Sequence, residues 1–376
     1  MNRPTFFTVV GTRPEIIRLS RVIVKLDRAF NHILIHTGQN SDPLLSDVFF
    51  SELSIRKPDY FLGIDVSSVG KSLGGTLIGL EPLIEAHKPV GLLVLGDTNS
   101  AISAVIAKRM QVPVYHMEAG NRSFDENVPE ETNRRLVDHV ADFNLPYTEH
   151  ARRNLLAEGL NPRRVIKTGS PMYEVLAHYL PEIKKSDSLN KLGLTEGQYF
   201  LVSAHRQENV DNPKRLQSLI KSLGAVHEHW KLPVIVSTHP RTRRRLEELP
   251  AFQDQAGGVK FLEPFGFFDY NRLQMSAKCV ISDSGTISEE SSILKFPAIT
   301  IRDSIERPEA LEAGAIVLSG MNQTEVIASI ETTLEGDEPI EQLPEGYFAP
   351  NCSDIVVKAI KSTYHLHRAW SGLHPR

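Results

Sequence analysis

The sequence predicts an α/β protein made of two doubly wound domains that face each other across a cleft. Short apolar segments alternate with helical segments along nearly the whole chain, a pattern typical of parallel βαβ construction. The chain has 376 residues, which is too long for one small domain and suits two. The alternation also starts afresh in the second half, and this restart indicates a second domain.

Composition limits the classes of protein that the chain can represent. Hydrophobic residues make up 41% and charged residues 23%, which is ordinary for a globular protein and too apolar for a disordered one. The 42 basic and 46 acidic residues give a net charge of −4, and a general nucleic-acid binder would show a basic excess instead. Two cysteines, Cys279 and Cys352, make no disulfide framework and fit a reducing compartment.

The chain shows no sign of export or membrane insertion. Residues Met1–Ser20 carry four charged side chains around a short apolar run, whereas a signal peptide needs a longer apolar core. No segment approaches the roughly 20 apolar residues of a membrane span. We therefore expect a cytoplasmic protein with neither a nucleic-acid nor a membrane partner.

The first half contains five predicted buried strands, each followed by a turn residue and a helical stretch. The helical stretches include Pro14–Arg28 and Asn99–Met110, where polar and apolar residues alternate with helical spacing. The predicted strands are Thr5–Val10, His32–His36, Gly91–Leu95, Val112–His116 and Asp142–Leu145.

The second half repeats this pattern after a polar segment, Pro181–Gly197, that has few strand-forming residues. We place the boundary near Gly169–Ser170, followed by a linking helix. The predicted domains are residues 1–169 and 170–353, with a C-terminal helix at about 354–376 that can return to the first domain. Predicted strands are Tyr199–Ser203, Val234–Ser237, Cys279–Ser282, Ala298–Ile301 and Ile316–Leu318, and predicted helices are Asn212–His229, Thr286–Leu294 and Glu309–Ala313.

In doubly wound domains, ligands bind at the carboxyl ends of the strands, so the residues after each strand are the first candidates. The first strand is followed by Gly11–Glu15, where a glycine turn and the free N–H groups of a helix start attract anions. Arg13 and Arg18 could add charge-assisted contacts, or they could be solvated arginines beside a tight turn. The segment lacks both the P-loop and the dinucleotide-binding glycine pattern, which disfavours ATP and NAD.

Three carboxylates follow neighbouring segments of the first half. Asp97 follows the strand that ends at Leu95, Glu118 follows the next strand, and Glu130 opens a helix. If they converge, like charge would raise their pKa values and suit general acid–base catalysis near neutral pH. The alternative roles are local: Asp97 could cap a helix, and Glu130 could interact with a helix N-terminus.

Histidines and arginines follow two strands of the second half. His205 could shuttle a proton and Arg206 could bind a phosphate, while His239 supplies a second cationic candidate. The two histidines alone could suggest a metal site, but no close Cys or His spacing supports one. We therefore expect no catalytic metal.

The segment Ile281–Glu290 joins a strand to a helix through small residues. Its backbone and hydroxyl groups can donate to phosphate oxygens, and Glu290 could accept hydrogen bonds from ribose hydroxyls. A serine N-cap followed by an acidic first turn would produce the same local pattern. Arg307, directly before Pro308, adds another cation, so together these residues indicate a site for a diphosphate-linked sugar nucleotide.

In their order along the chain, these segments resemble the non-hydrolysing UDP-N-acetylglucosamine 2-epimerase family of bacteria. That family has two Rossmann-like domains in a glycosyltransferase-B-like arrangement. Any one of the segments is weak evidence, but the ordered set is specific and covers most of the chain. The matching segments are Gly11–Glu15, Gly96–Thr98, His116–Gly120, Pro129–Arg134, Thr168–Gly169, His205–Asn209, Asp283–Glu290 and Glu306–Glu309.

The resemblance implies inversion at C2 of a UDP-linked N-acetylhexosamine through a 2-acetamidoglycal, with no cofactor and in a homodimer. One group removes the C2 proton while UDP leaves C1, and UDP then adds back as a proton arrives on the opposite face. The implied catalytic residues are Asp97, Glu118, Glu130 and His205. The predicted UDP-sugar-binding residues are Arg13, Arg18, Arg206, His239, Tyr270, Ser284, Gly285, Thr286, Glu290 and Arg307.

The sequence departs from the commonest pattern of the family at several positions. Thr286 and Ser288 stand where glucosamine epimerases usually have glycine and glutamine, and Pro264–Tyr270 differs from the usual loop near the nucleotide. Segment His36–Ser41 lacks the histidine that commonly follows the glutamine, in a region that contributes to a regulatory UDP-N-acetylglucosamine site in those enzymes. The run Ser282–Ser292 is similar to the UDP-N-acetyl-L-fucosamine synthase branch, which acts on UDP-2-acetamido-2,6-dideoxy-L-talose for capsule or O-antigen.

Four alternatives stay open at this stage. Within the family, the chain could convert UDP-N-acetylglucosamine to UDP-N-acetylmannosamine, and turnover of one sugar rather than the other would separate the two readings. A glycosyltransferase on the same scaffold would need an acceptor but not all three carboxylates. A hydrolysing epimerase would release UDP, and a nucleotide-sugar sensor would bind without turnover.

Overall fold

The structure is a computed structural model that describes residues 3–39, 49–248, 258–335 and 343–374. The chain divides into two compact units. Unit 1 comprises Met1–Ala177 with Glu345–Arg376, and unit 2 comprises His178–Pro344.

Unit 1 contains a six-stranded parallel sheet flanked by helices. Its strands are β1 (Thr5–Val10), β2 (Asn31–His36), β3 (Tyr60–Phe61), β4 (Leu92–Leu95), β5 (Val114–Met117) and β6 (Phe143–Leu145). Its helices are α1 (Arg13–Ala29), α2 (Val69–His87), α3 (Ser103–Arg109), α4 (Pro129–Val140), α5 (Glu149–Ala157), α6 (Met172–Lys185, which continues into unit 2), α15 (Cys352–Thr363) and α16 (His367–Trp370).

Unit 2 contains a second six-stranded parallel sheet. Its strands are β7 (Phe200–Ser203), β8 (Val234–Ser237), β9 (Val259–Leu262), β10 (Cys279–Ser282), β11 (Ala298–Thr300) and β12 (Val317–Leu318). Its helices are α7 (Ser188–Leu192), α8 (Gln207–Val210), α9 (Pro213–Trp230), α10 (Pro240–Glu247), α11 (Phe267–Ser276), α12 (Ile287–Leu294), α13 (Pro308–Glu312) and α14 (Gln323–Leu334).

The two sheets have the same strand order. The first runs β3-β2-β1-β4-β5-β6 and the second runs β12-β11-β10-β7-β8-β9, which is the doubly wound order counted from the opposite edge. The central pairs are in register from Phe7 with Leu92 and from Phe200 with Cys279. The predicted α/β class with two doubly wound domains is therefore confirmed.

The inner strands could be predicted from consecutive apolar residues because they are buried on both faces. Helices cover both faces of each sheet, so strand residues are buried whichever way they point. Every residue of β4 and β10 is buried, for example.

The edge strands β3 and β9 were not predicted. Strand β3 has only two residues, and β9 contains the exposed Lys260, so neither has a continuous apolar run. Short edge strands and edge lysines also prevent pairing with another chain. Helix α2 was missed as well; it holds several glycines and the internal Pro82.

The C-terminal helix α15 belongs to unit 1. The Tyr115 hydroxyl on β5 lies 2.8 Å from the Thr363 hydroxyl, and the Ser353 N–H donates to the Glu174 carboxylate at 2.8 Å. Both contacts join residues more than 170 positions apart. They attach the C-terminal helix to the first βα series.

Among the helices of the described ranges, none is long and apolar enough to cross a membrane.

Candidate functional site

Each unit has candidate residues at the central pair of strands, where the order of strand addition reverses from one side of the sheet to the other. Strand β1 pairs with both β2 and β4, and β7 pairs with both β8 and β10. Helices that follow such a central pair leave toward opposite faces of the sheet, which opens a crevice at the carboxyl ends of the strands. Gly11 and Asp97 follow the central pair of unit 1, and His205 and Asp283 follow the central pair of unit 2.

The first turn of unit 1 is organised around the buried carboxylate of Glu15. One of its oxygens accepts hydrogen bonds from the Gly11 N–H at 3.0 Å, the Thr12 N–H at 2.8 Å and the Thr12 hydroxyl at 2.7 Å. Its other oxygen accepts from the Thr98 hydroxyl at 3.1 Å, which connects the turn after β1 to the turn after β4. Sequence reasoning placed Glu15 in the motif but did not select it as a site residue.

Burial raises the pKa of Glu15 from 4.5 to about 7, because the desolvation of its charge outweighs the hydrogen bonds that favour ionisation. The folded state therefore holds this proton at pH values where the unfolded chain has lost it. Because of Glu15, we expect the free energy of unfolding to fall by on the order of 3 kcal/mol as the pH rises from 4.5 to 7.

Denaturant titrations at several pH values should detect this effect. The stability of Glu15→Gln is expected to fall less than that of the unmodified protein between pH 4.5 and 7. The exposed Glu126 provides the control, since Glu126→Gln should follow the unmodified curve. If the free energy of unfolding changes with pH in the same way for all three proteins, the assignment of the proton to Glu15 is wrong.

The turn after β1 needs glycine at position 11. A Cβ there would lie 1.9 Å from the Ser100 Oγ and 2.3 Å from the Thr37 Oγ1, and these two hydroxyls already contact each other at 2.7 Å. We expect Gly11→Ala to destabilise the protein by about 1–3 kcal/mol through overpacking.

Gly74 provides a matched control because a Cβ on this α2 residue would meet nothing within 4 Å. Alanine is the better helix former by up to about 1 kcal/mol, so Gly74→Ala should be neutral or stabilising. Thermal unfolding of the two variants measures the difference. Equal melting temperatures would show that the turn can move to admit a methyl group.

The structure describes only part of the segment His36–Ser41, the region that contributes to a regulatory site in the similar glucosamine epimerases. The Gln39 side-chain oxygen accepts hydrogen bonds from the Ser100 N–H at 3.1 Å and the Ser100 hydroxyl at 3.0 Å. Arg13 lies 5.2 Å from the centroid of the Phe49 ring. Asn40 and Ser41 lie outside the described residues.

Two of the three predicted catalytic carboxylates each contact an arginine of unit 1. Glu118 forms an ion pair with Arg18, and Asp97 forms one with Arg134. The Glu118 and Arg18 side chains are 12% and 7% exposed, and those of Asp97 and Arg134 are 25% and 7% exposed. Sequence reasoning expected like charge among the carboxylates to dominate their environment, whereas the structure places a guanidinium beside two of them. It also places Arg18, predicted to bind UDP, against Glu118.

The backbone brings the Asp97 and Glu118 turns together. A Cβ built on Gly96 would lie 3.5 Å from a Glu118 carboxylate oxygen, so this carboxylate lies over the residue before Asp97. Gly96 has φ +68° and Glu118 has φ +63°, a left-handed conformation that is uncommon for a residue other than glycine.

Glu130 occupies the first turn of α4 and is half-buried. Arg134 lies four residues further on, on the same face of the helix, and its guanidinium contacts both Asp97 and Glu131, the latter at 2.5 Å. The Asn133 side chain donates to the Asp97 backbone carbonyl at 3.0 Å. Helix α4 therefore presents Glu130 on the face that contacts the Asp97 turn.

In unit 2, the buried Asp283 carboxylate organises the turn after β7. It accepts hydrogen bonds from the His205 N–H at 3.0 Å, the Arg206 N–H at 2.9 Å and the Asn209 side chain at 3.0 Å. The His205 ring nitrogen Nδ1 lies 3.4 Å from the same carboxylate. The His205 side chain is 42% exposed, so the ring is held on one side and accessible on the other.

Arg206 extends from this turn across the start of α12. Its Nε donates to the Asp283 carbonyl at 2.9 Å, and its Nη2 would lie 3.5 Å from a Cβ on Gly285. The same guanidinium approaches Glu306 at 3.4 Å. Glu306 also forms a two-point ion pair with the buried Arg302 at 2.6 and 2.8 Å.

Helix α12 begins at Ile287, later than predicted, with Thr286 as its N-cap residue. The Ser284 and Thr286 hydroxyls lie 2.9 Å apart in the turn before the helix. Arg307, which precedes α13, forms a buried ion pair with Glu289 at 2.5 Å. The predicted residues Ser284, Gly285, Thr286 and Arg307 thus surround one helix start.

The remaining predicted residues of unit 2 contact or lie near other residues of the same unit. The Glu290 carboxylate accepts a hydrogen bond from the Gln274 amide at 2.7 Å. Burial raises the pKa of the Tyr270 hydroxyl, and the negative charge of Glu290 raises it further. The His239 Nδ1 accepts from the Arg241 N–H at 3.2 Å, and its ring centroid lies 6.0 Å from that of His205.

Sequence reasoning missed the residues that hold the candidates in place. Each is a buried charged side chain within or beside a recognised motif. Some have a partner far away in the sequence, as Glu15 has in Thr98 and Asp283 has in His205, whereas Arg302 and Glu306 pair with each other four residues apart. These residues are Glu15, Glu131, Arg134, Asp283, Glu289, Arg302 and Glu306.

Among the described residues, no group of three or more His, Cys, Asp or Glu side chains is arranged to hold a metal ion.

Similar proteins are known for nearly the whole chain. Residues 24–361 match the family described as UDP-N-acetylglucosamine 2-epimerase. The chain is 43% identical to a Rickettsia bellii UDP-N-acetylglucosamine 2-epimerase of known structure, with a TM-score of 0.88 and 98% of each chain covered. It is 34% identical to the Methanocaldococcus jannaschii UDP-GlcNAc 2-epimerase solved in complex with UDP-GlcNAc and UDP, with a TM-score of 0.89 and coverage of 95% and 99%.

A relative whose name specifies a different substrate has nearly the same identity to this chain as the Methanocaldococcus jannaschii enzyme. The chain is 33% identical to the Pseudomonas aeruginosa UDP-2,3-diacetamido-2,3-dideoxy-D-glucuronate 2-epimerase over 334 residues, which cover 87% of this chain and 91% of that protein. The name of each of these proteins specifies a 2-epimerase of a UDP-linked sugar.

Proposed function

Because the chain belongs to the UDP-N-acetylglucosamine 2-epimerase family, it is an epimerase, and we propose that it inverts C2 of a UDP-linked N-acetylhexosamine. The observation that carries this proposal is the pair of strand-end carboxylates in unit 1. Asp97 follows β4 of the central strand pair, Glu118 follows the neighbouring strand β5, and each carboxylate lies beside an arginine.

Inversion at C2 requires proton transfer on both faces of the sugar ring. One carboxylate removes the C2 proton, the electron pair forms the C1=C2 double bond, and the C1–O bond breaks so that UDP leaves with its electrons. UDP then adds back to C1 of the 2-acetamidoglycal while a second acid delivers a proton to the opposite face of C2. Asp97, Glu118 and Glu130 supply carboxylates for these steps, and Arg134 and Arg18 lie beside Asp97 and Glu118, respectively.

The unit 2 residues are proposed to bind UDP and to stabilise it as a leaving group. Arg206 and Arg307 supply guanidinium groups, and the start of α12 supplies backbone and hydroxyl donors for the diphosphate. Glu290 is proposed to accept from the ribose, and His205 to act in proton transfer. His239 and Tyr270 complete the proposed binding set, and the route needs no cofactor because the departing diphosphate carries the electron pair.

We further propose UDP-2-acetamido-2,6-dideoxy-L-talose as the substrate and UDP-N-acetyl-L-fucosamine as the product, for capsule or O-antigen. The run Ser282–Ser292, with Thr286 and Ser288, supports this choice. Ser288 is buried, and the Thr286 hydroxyl contacts Ser284, so these substitutions lie at the helix start proposed to bind the diphosphate. Conversion of UDP-N-acetylglucosamine to UDP-N-acetylmannosamine is the alternative, which the names of the relatives favour.

Proton NMR of the protein in D2O with each sugar nucleotide tests both the proposed reaction and the proposed substrate. Deuterium entering C2 of the talo sugar, with appearance of the L-fuco product, is the expected result. Exchange only with UDP-N-acetylglucosamine would keep the reaction and reject the fucosamine substrate. Absence of exchange with either sugar would contradict the proposed function.

The proposed cellular context is a cytoplasmic homodimer. Light scattering of the purified protein gives its mass in solution, for which twice the 42.0 kDa of the chain is expected. A mass of one chain would reject the dimer.

A further inference from the structure

The three proposed catalytic carboxylates lie on three separate segments of unit 1. Asp97 follows β4, Glu118 follows β5, and Glu130 lies on α4. Proton transfer to both faces of one carbon requires these segments to keep a fixed geometry, because a displacement of about 1 Å can cost on the order of 100-fold in rate.

A buried histidine–aspartate pair connects the three segments. The His116 Nδ1 lies 2.8 Å from the Asp138 Oδ1, and both side chains are 0% exposed. His116 belongs to β5, and Asp138 lies on α4, eight residues or about two turns beyond Glu130.

His116 reaches from this pair to the turn that carries Asp97. Its Nε2 lies 2.7 Å from the Gly96 carbonyl oxygen. Because a carbonyl can only accept, the ring must carry a proton on Nε2 and donate it. The imidazole therefore fixes the peptide that directly precedes Asp97.

Asp138 reaches to the turn that carries Glu118. Its two oxygens accept from the Gly120 N–H at 3.1 and 3.2 Å, and Arg122 donates to one of them at 2.7 Å. Gly120 lies two residues after Glu118. A continuous line of contacts thus runs from the Gly96 carbonyl through His116 and Asp138 to the Gly120 N–H.

The backbone at these turns is one that surrounding contacts must impose. Gly96, Glu118 and Gly120 all have positive φ, of +68°, +63° and +84°. For Glu118, which has a Cβ, this conformation is disfavoured, and such residues persist where neighbouring contacts determine the backbone.

We propose that His116 and Asp138 form a positioning pair that keeps Asp97, Glu118 and Glu130 in the relative positions that catalysis requires. Neither side chain is proposed to touch the sugar. This inference rests on the proposed epimerase function, because it concerns the same carboxylates.

Asp138→Asn tests the pair, with kinetics on whichever of the two UDP-sugars the unmodified protein converts. We expect kcat to fall about 100-fold with KM within about threefold, and the pH profile of kcat to shift because the environments of Asp97 and Glu118 change. The affinity for UDP, measured by calorimetry, should stay the same because no UDP-binding role is proposed for His116 or Asp138.

Asp142 provides a matched control in the same unit. It is also fully buried and accepts from the Val114 N–H at 3.0 Å and from Arg164 at 3.3 Å, and these partners, like Lys108, lie outside the Asp97 and Glu118 turns and outside α4. Asp142→Asn should lower the melting temperature while leaving the kcat of the folded protein and its pH profile unchanged. If Asp138→Asn behaves in the same way, the pair is only structural and the proposal is wrong.

Two variants of His116 separate its hydrogen bond from its volume. His116→Gln keeps a donor for the Gly96 carbonyl, so it should retain more kcat than His116→Leu, which has none. Equal kcat for the two variants would overturn the role of this hydrogen bond. Failure of the unmodified protein to convert either sugar would instead refute the proposed function, which keeps the two failures distinct.

Discussion

Asp97→Asn or Glu118→Gln is expected to abolish epimerisation while UDP binding persists. Each change removes a proton-transfer group, and such groups contribute about 10²–10⁴-fold to rate, so kcat should fall by about 100–10,000-fold. The proposed UDP-binding groups belong mainly to unit 2, so calorimetry should give nearly the same UDP dissociation constant. Exchange of the C2 proton in D2O should fall in parallel with kcat.

The amide variants are chosen because of the ion pairs. The Arg18 and Arg134 side chains are each 7% exposed, and an alanine would leave a buried guanidinium without its acceptor. Asparagine and glutamine keep an acceptor oxygen at nearly the same place. Glu126→Gln, in the exposed loop of the same unit, is the control and should retain full activity. Near-normal kcat in both amide variants would refute the acid–base assignment.

Replacing Arg307 by methionine is expected to lower both stability and UDP affinity. Its ion pair with Glu289 is buried, at 4% and 0% side-chain exposure. Removing one partner of such a pair typically costs about 3–5 kcal/mol because the other charge is left buried. Loss of a charge-assisted hydrogen bond to the diphosphate should weaken UDP binding by about 10–100-fold.

A second change separates the two effects. Adding Glu289→Gln to Arg307→Met removes the unpaired charge, so the double variant should regain stability but not UDP affinity. Arg272→Met is the control, because Arg272 contacts the exposed Glu196 at 3.9 Å and surface pairs contribute little. An unchanged UDP dissociation constant in the folded double variant would show that Arg307 serves only its ion pair.

The inner strands and the strand-end motifs could be predicted from the sequence because both are local. A strand such as Leu92–Leu95, buried on both faces, reads as an apolar run, and the residues directly after it meet the ligand-binding edge of the sheet. The edge strands β3 and β9 could not be predicted in this way, since the first has two residues and the second includes an exposed lysine.

The electrostatic environment of the candidate site was predicted less well. The three carboxylates were expected to repel one another, yet Glu118 is paired with Arg18, 100 residues away, and Asp97 with Arg134, 37 residues away. No local pattern shows which arginine will reach which carboxylate. The raised pKa of Glu15 could not be predicted either, because it comes from burial of the carboxyl group, which depends on the tertiary structure.

The sequence by itself determined the fold class, the inner strands and which chemical groups stand at each strand end. Those features follow from the hydrophobic pattern and turn residues of short segments, which act over a few positions. Only the tertiary structure decided the partner of each buried polar or charged side chain, including His116 with Asp138 and Arg307 with Glu289. Such contacts depend on strand order and helix packing, which bring distant residues together and bury them as pairs.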